Sequence, residues 1–398
     1  MKTSRLVRPL YHRFPIMSEA LSAPDRLRTE LAHKLGFPHY PSDTTAKPYL
    51  NYLTNRRVSR ITHEEHIKLL LRVIASFDAG ILGQHTASTI SSIQGLIDAL
   101  STDKEYCGTY QPDLEDIVLY TIGLWTMLLS SFILLPMAGS VRRVKLAYGL
   151  RMRGKLPNRH PYEEDVAGLV VGSGLLPAPA QYPSFDEMLP VPDDSFLDLD
   201  SLESLAISAT RLNMYTLKVF GAVDILWTHN ISRHLLLSNR GGQHILEVFA
   251  LPCALSASSL RFATTGIGPE LAQEIRESYS SLFNAWPEVT RHAKFGAGRF
   301  CWCWSCSARQ HRNQAFTEYK RFSKYRTSGA KRSQRESEYD PLLIELMNNE
   351  PSDWTPDLFP NLWSRIVILE QHLQVAKPWS IWVLFRDRRD TLQFWTFL

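Results

Sequence analysis

Apolar residues first fall into helical register between 62 and 100. Thr62 and Glu65 form the two ends of a capping box, after which Ile67, Leu70, Ile74 and Phe77 recur three and four residues apart. That spacing lines one face of an α-helix of about four turns. Ile90, Ile93, Ile97 and Leu100 predict a second helix, with Ser, Thr and Gln opposite, and the two read as a helical hairpin. Residues 117–139 then run without a charge, preceded by Asp113, Glu115 and Asp116 and followed by Arg142, Arg143 and Lys145. The length satisfies a membrane span, but acids before and bases after also suit the dipole of a buried helix. Thr121, Thr126, Ser130, Ser131 and Pro136 interrupt the run, and the buried helix is the favoured expectation.

A further helix is predicted at 163–171. The chain then changes character: residues 177–203 hold five prolines and seven acids and no Lys or Arg, a composition that buries too little surface to offset its ordering entropy. Apolar periodicity restarts as a predicted helix at 199–212. From 213 to 251 the period becomes two, through Tyr215, Leu217 and Val219, then Val223, Ile225 and Trp227, and two β-prone runs flank Asn239-Arg240-Gly241-Gly242, a hairpin turn signal. Helices are predicted again at 269–284, where Glu270, Glu274 and Glu277 are expected to face away from Leu271, Ile275 and Tyr279, and after Pro360, where Leu362, Ile366, Leu369 and Leu373 form a stripe.

The expected fold is therefore mainly α (α+β), with helical domains and one small antiparallel β-meander. The predicted divisions are an N-terminal arm (1–60), a helical domain (61–176), an acidic Pro-rich linker or loop (177–198), an α+β region with the sheet (199–290), a basic Cys-containing insertion (291–340) and a C-terminal helical aromatic segment (341–398). A chain of 398 residues with 44% apolar and 21% charged residues can bury a sizeable core. The same composition excludes collagen-like, coiled-coil and wholly disordered architectures.

Charge sharpens one of these divisions. Residues 291–335 hold twelve Lys and Arg against one acid, Glu318, so this window carries +11 and the remainder of the chain −7. Self-repulsion and the lack of an evident period predict that 296–336 is poorly ordered and contributes little to the fold; its break in composition also fits non-native coding sequence such as a retained intron. Five cysteines, three of them clustered, do not form a disulfide scaffold, and they favour an intracellular, cytoplasmic chain. The basic N-terminus, Lys2 to Arg13, has no apolar signal core and leaves a mitochondrial presequence as the other expectation.

Cys301, Cys303 and Cys306, with His311 or His292 completing the shell, could hold zinc, although the spacing matches no standard finger or knuckle. The basic window interleaves Phe316, Tyr319, Phe322 and Tyr325 with its cations, a composition that neutralises phosphates and stacks bases. Asp224, His229, His234 and His244 are the clustered acid and imidazole groups of the sheet region, where neighbouring strands could bring them together. No nucleophile elbow, dinucleotide fingerprint, phosphate loop or zinc-protease motif is complete: Gly172-Ser173-Gly174 follows Val171, Gly266-Ile-Gly268 runs into Pro269, and His63 and His66 are too close.

The stretch Ile225-Leu-Trp-Thr-His-Asn-Ile-Ser-Arg-His-Leu-Leu-Leu-Ser238, with Val248-Phe249-Ala-Leu-Pro252-Cys253, resembles a large family of uncharacterised filamentous-fungal (ascomycete) proteins, as do Leu362-Trp363-Ser-Arg365-Ile366 and the tail from Arg386 through Phe397. The resemblance implies a fungal origin and an aromatic tail that leads into a membrane segment in relatives; it supplies no catalytic residue. The leading expectation is a non-enzymatic interaction or scaffold protein with protein partners. The alternatives are a nucleic-acid-binding regulator acting through 291–335 and a membrane-associated protein spanning at 117–139.

Overall fold

The computed structural model describes residues 23–56, 62–78, 93–101, 111–128, 132–136, 142–146, 206–261, 268–285, 304–325 and 340–376. Across them the protein is mainly helical, with a small sheet. The first half supplies α1 (Ala23–Leu35), α2 (Lys47–Asn55), α3 (His63–Asp78), α4 (Ile93–Ser101) and α5 (Gln111–Trp125). The capping box forms as predicted: Thr62 donates its N–H to Glu65 Oε2 at 2.8 Å, and Glu65 donates its N–H to Thr62 Oγ1 at 3.3 Å. Ile67, Leu70 and Ile74 are buried in α3. In place of a hairpin with α3, α4 packs on α5, while α3 packs on α1 and α5. Where an N-terminal arm was expected, Leu31, Leu35, Tyr49 and Leu53 of α1 and α2 are fully buried.

The uncharged run at 117–139 is not one helix. α5 ends at Trp125, Met127 takes φ 59°, and β1 (Phe132–Pro136) pairs antiparallel with β2 (Arg142–Leu146). Thr121 and Thr126 turn their hydroxyls back onto the carbonyls of Ile117 and Ile122, both at 2.8 Å, a local bond that competes with helix continuation. Among the described residues no helix is long and apolar enough to cross a membrane.

Residues 206–212 are not helical either; Ile207 bridges Trp354 instead. The expected strand at Tyr215 to Val219 is a short helix, α6 (Met214–Val219), because Asn213 and Thr216 form a reciprocal cap. β3 (Val223–Thr228), β4 (Leu236–Arg240) and β5 (Gln243–Phe249) make the three-stranded sheet in the order β3-β5-β4. The hairpin β4–β5 turns on Gly241 (φ 61°) and Gly242 (φ 86°), two consecutive left-handed positions of the kind that suit a two-residue hairpin. The antiparallel meander is thus corrected to a mixed sheet: the chain crosses from β3 to the far edge through Ile231–Arg233, so β5 lies parallel to β3 with Val223 opposite His244.

α7 (Pro269–Phe283), α8 (Trp304–Tyr325), α9 (Pro341–Leu346) and α10 (Trp363–Val375) complete the described structure. α8 corrects the expectation of disorder in the basic window, whose flanks 291–303 and 326–339 lie outside the described residues. It lies against α6 and β3, and Ala308, Ala315 and Tyr319 are buried. The predicted elements at 163–171 and 177–198 also lie outside the described residues. One hydrophobic cluster runs from Leu31 in α1 to Leu373 in α10, with Trp125, Phe249, Tyr279 and Trp354 among its largest members.

Candidate functional site

The chain leaves β5 through a fully buried stretch, residues 249–253, whose backbone polar groups have no water to bond. Each of the following is met from a different element. Phe249 donates its N–H to His234 Nδ1 at 3.2 Å, and its carbonyl accepts from Tyr279 Oη of α7 at 2.7 Å. Ala250 donates to the Thr228 carbonyl at 2.8 Å and accepts from Tyr319 Oη of α8 at 3.0 Å. Cys253 donates its N–H to Asp340 Oδ2 at 2.7 Å. Asp340 also caps α9, through Leu342 N–H at 2.9 Å, and donates its own N–H to Tyr319 Oη at 2.9 Å.

The protonation states follow from these bonds. Nδ1 of His234 accepts a hydrogen bond from an amide N–H, so its own proton sits on Nε2, which donates to Ser278 Oγ at 2.7 Å; Ser278 in turn donates its O–H to the Ile275 carbonyl at 2.7 Å. Burial, reinforced by the Arg365 guanidinium, lowers the His234 pKa from 6.5 to about 3. Arg365 is itself buried, donates to the His234 carbonyl at 2.6 Å, and has its pKa lowered to about 10, mainly by burial.

Burial raises the Asp340 carboxyl from 3.8 to about 6, against the backbone bonds that favour its charge. Burial and then the neighbouring Asp340 carboxylate push the Cys253 thiol well above its usual value. A nucleophilic cysteine needs the reverse environment, one that favours thiolate. The centre therefore holds a neutral imidazole and a carboxyl group that accept the amide protons of residues 249 and 253, beside a buried thiol.

Two other polar groupings surround it. Glu247, 2% exposed, takes a two-pronged bond from Arg233 (Nε to Oε2 and Nη2 to Oε1, both 2.7 Å) and a further bond from Arg240 at 2.7 Å. His244 meets His372 edge to face with ring centroids 4.6 Å apart, while His372 Nε2 lies 2.8 Å from the Gly221 carbonyl. Burial first, and His372 second, lower the His244 pKa.

The four acid and imidazole groups expected to meet are placed apart. His229 is sandwiched between Tyr52 and Phe322, with centroid distances of 4.9 and 4.8 Å and Arg56 at Nδ1. His234 points at α7, His244 at α10, and Asp224 is an exposed neighbour of Lys218 at 4.0 Å. Of the expected zinc ligands, Cys301 and Cys303 lie outside the described residues. Cys306 is buried on α8, and His311 lies five residues along, against the Tyr215 ring at 5.6 Å. At about 100° per residue, positions 306 and 311 project about 140° apart. Among the described residues no group of three or more His, Cys, Asp or Glu side chains is arranged to hold a metal.

The residues of the centre that sequence reasoning missed are Cys253, Tyr279 and Asp340. Asp340-Pro341 carried a readable signal, an N-cap acid followed by proline at the first helical position. The outer side of α8 presents Arg309, Gln310, Asn313, Gln314, Lys320 and Arg321 to solvent. A scan of the chain against family models and searches of curated proteins and solved structures give no match.

Proposed function

We propose that this chain is a non-enzymatic interaction or scaffold protein of fungal origin, intracellular and cytoplasmic, that meets a macromolecular partner on the solvent side of α8. The division of labour on α8 is the observation that carries the reading. Its inner side is fastened to the core by Tyr319, through Ala250 and Asp340, so its outer side is held as a rigid, polar and basic surface. The buried titratable groups support the same reading, because His234, Cys253 and Asp340 are committed to fixing residues 249–253. Cys253 and Cys306 carry buried thiols, which suits a reducing compartment.

Hydrogen exchange of the full chain in filamentous-fungal extract tests this reading, with the extract first divided by dialysis. An interaction protein gains protection over 304–325 from the retained macromolecules. Protection confined to residues 228–253 and 340–342, produced by the dialysable small molecules, would identify a ligand-binding or catalytic centre and overturn the proposal.

A further inference from the structure

We propose that the outer side of α8 binds the sugar-phosphate backbone of single-stranded nucleic acid; the inference rests on the interaction reading above and names its partner class. α8 carries five Lys and Arg residues (Arg309, Arg312, Lys320, Arg321, Lys324) against one acid, Glu318. Glu318 accepts from Gln314 at 3.1 Å on the same helix, and Arg312 is turned inward, donating to the Met347 carbonyl at 2.9 Å. Among the described side chains of α8, the exposed cations are Arg309, Lys320 and Arg321.

Arg309 and Lys320 are eleven residues apart, which places them about 20° from one another around the helix and about 16 Å apart along it. Phe316 falls on the same stripe, half-buried, packed in part against the core and with Lys320 Nζ 4.9 Å from its ring centroid, so a base stacks on the part of the ring left exposed as Lys320 turns to a phosphate. A row of cations with an aromatic ring set into it is the arrangement that tracks phosphates while a base stacks. An acidic protein segment would be recognised by the cations alone and would leave the ring unused. Asn313, about 40° round the helix from Arg309, lies beside the row and can both donate and accept hydrogen bonds. The single strand is favoured over the duplex because the exposed part of the Phe316 ring can stack only on a base that is not already paired and stacked.

The test is fluorescence anisotropy of the full chain with a labelled mixed-sequence single strand and with the matching duplex, at salt between about 50 and 200 mM. The two cations of the row, with Arg321 about 100° round the helix, predict a slope of log affinity against log salt between about −1.4 and −2 for the single strand. The triple reversal R309E/K320E/R321E is expected to weaken binding at least about tenfold with an unchanged melting temperature. F316A should weaken the single strand several-fold and remove its advantage over the duplex. If charge reversal disturbs folding, R309Q/K320Q/R321Q replaces it, with the same direction expected. No binding at about 50 mM salt, or full affinity in a folded triple variant, overturns the inference. Extract protection of α8 that survives nuclease treatment would leave the interaction reading standing while removing this one.

Discussion

Glu274 on α7 accepts the backbone N–H of Leu362 at 2.8 Å, so a carboxylate 88 residues away in sequence caps the start of α10. The same carboxylate takes the Asn361 N–H at 3.0 Å and the Asn361 side-chain amide at 2.5 Å. Burial raises its pKa, against those bonds. Glu274→Ala is expected to cost about 3 kcal/mol and Glu274→Gln about 1 kcal/mol, because the amide retains one acceptor for the helix end. Urea midpoints at neutral pH check both; equal losses would show that the side chain acts by packing alone.

A second expectation concerns Tyr319. Its hydroxyl donates to Ala250 and accepts from Asp340, while its ring packs on Trp227 at 5.0 Å. Tyr319→Phe keeps the packing and removes both bonds, for a predicted loss of about 1 to 3 kcal/mol. Exchange of the α8 amides should accelerate more than that of α3. Uniform acceleration would mean that α8 is not separately fastened.

Acid sensitivity should divide between two groups of opposite sign. His234 has a folded pKa of about 3 against 6.5 when unfolded, so the unfolded chain binds more protons between those values. Its contribution is present above pH 6.5 and declines by about 1.4 kcal/mol per unit as pH falls toward 3. Asp340, raised from 3.8 to about 6, contributes most below pH 3.8 and loses that contribution as pH rises through 6. The stability gap between wild type and His234→Gln should therefore narrow from pH 6 to pH 4, and the gap to Asp340→Asn should widen. Gaps that stay constant with pH would refute the assignment.

The Glu247 ion pairs offer a contrast between removing one partner and removing the charge centre. Glu247→Ala leaves Arg233 and Arg240 facing one another without their shared carboxylate, and a loss of about 3 to 5 kcal/mol is expected. Arg240→Ala, at a position whose side chain is 53% exposed, should cost less than about 1 kcal/mol. Chemical denaturation of the two variants distinguishes them, and similar losses would contradict the ordering.

Features set by near neighbours were legible in the sequence. The Thr62–Glu65 box and the Asn239–Gly242 turn both depend on a few consecutive residues. The parallel pairing of β3 was not, because a strand's alternation reports which faces are buried and says nothing of partner direction. Tyr215, Leu217 and Val219 alternate like a strand, yet Asn213 and Thr216 cap them into a helix. α8 was hidden by its own composition: Ala308, Ala315, Tyr319 and Phe322 follow helical spacing, but two members are alanines and the intervening Arg312 reads as surface. Glu274 was assigned outward because an isolated glutamate is normally solvated; only the helix end it meets explains its burial.

The fastening of residues 249–253 also orders events during synthesis. Cys253 leaves the ribosome 87 residues before the Asp340 that accepts its N–H, and Ala250 leaves 69 before Tyr319. The β4–β5 hairpin can close locally at once, but the strand exit beneath it then waits with unsatisfied polar groups. A nascent chain halted before residue 340 should accordingly be cut by protease within 249–253, whereas release of the full chain should abolish that cleavage. Translation of the C-terminal portion is thus the step that turns a collection of early helices and a hairpin into a closed interior.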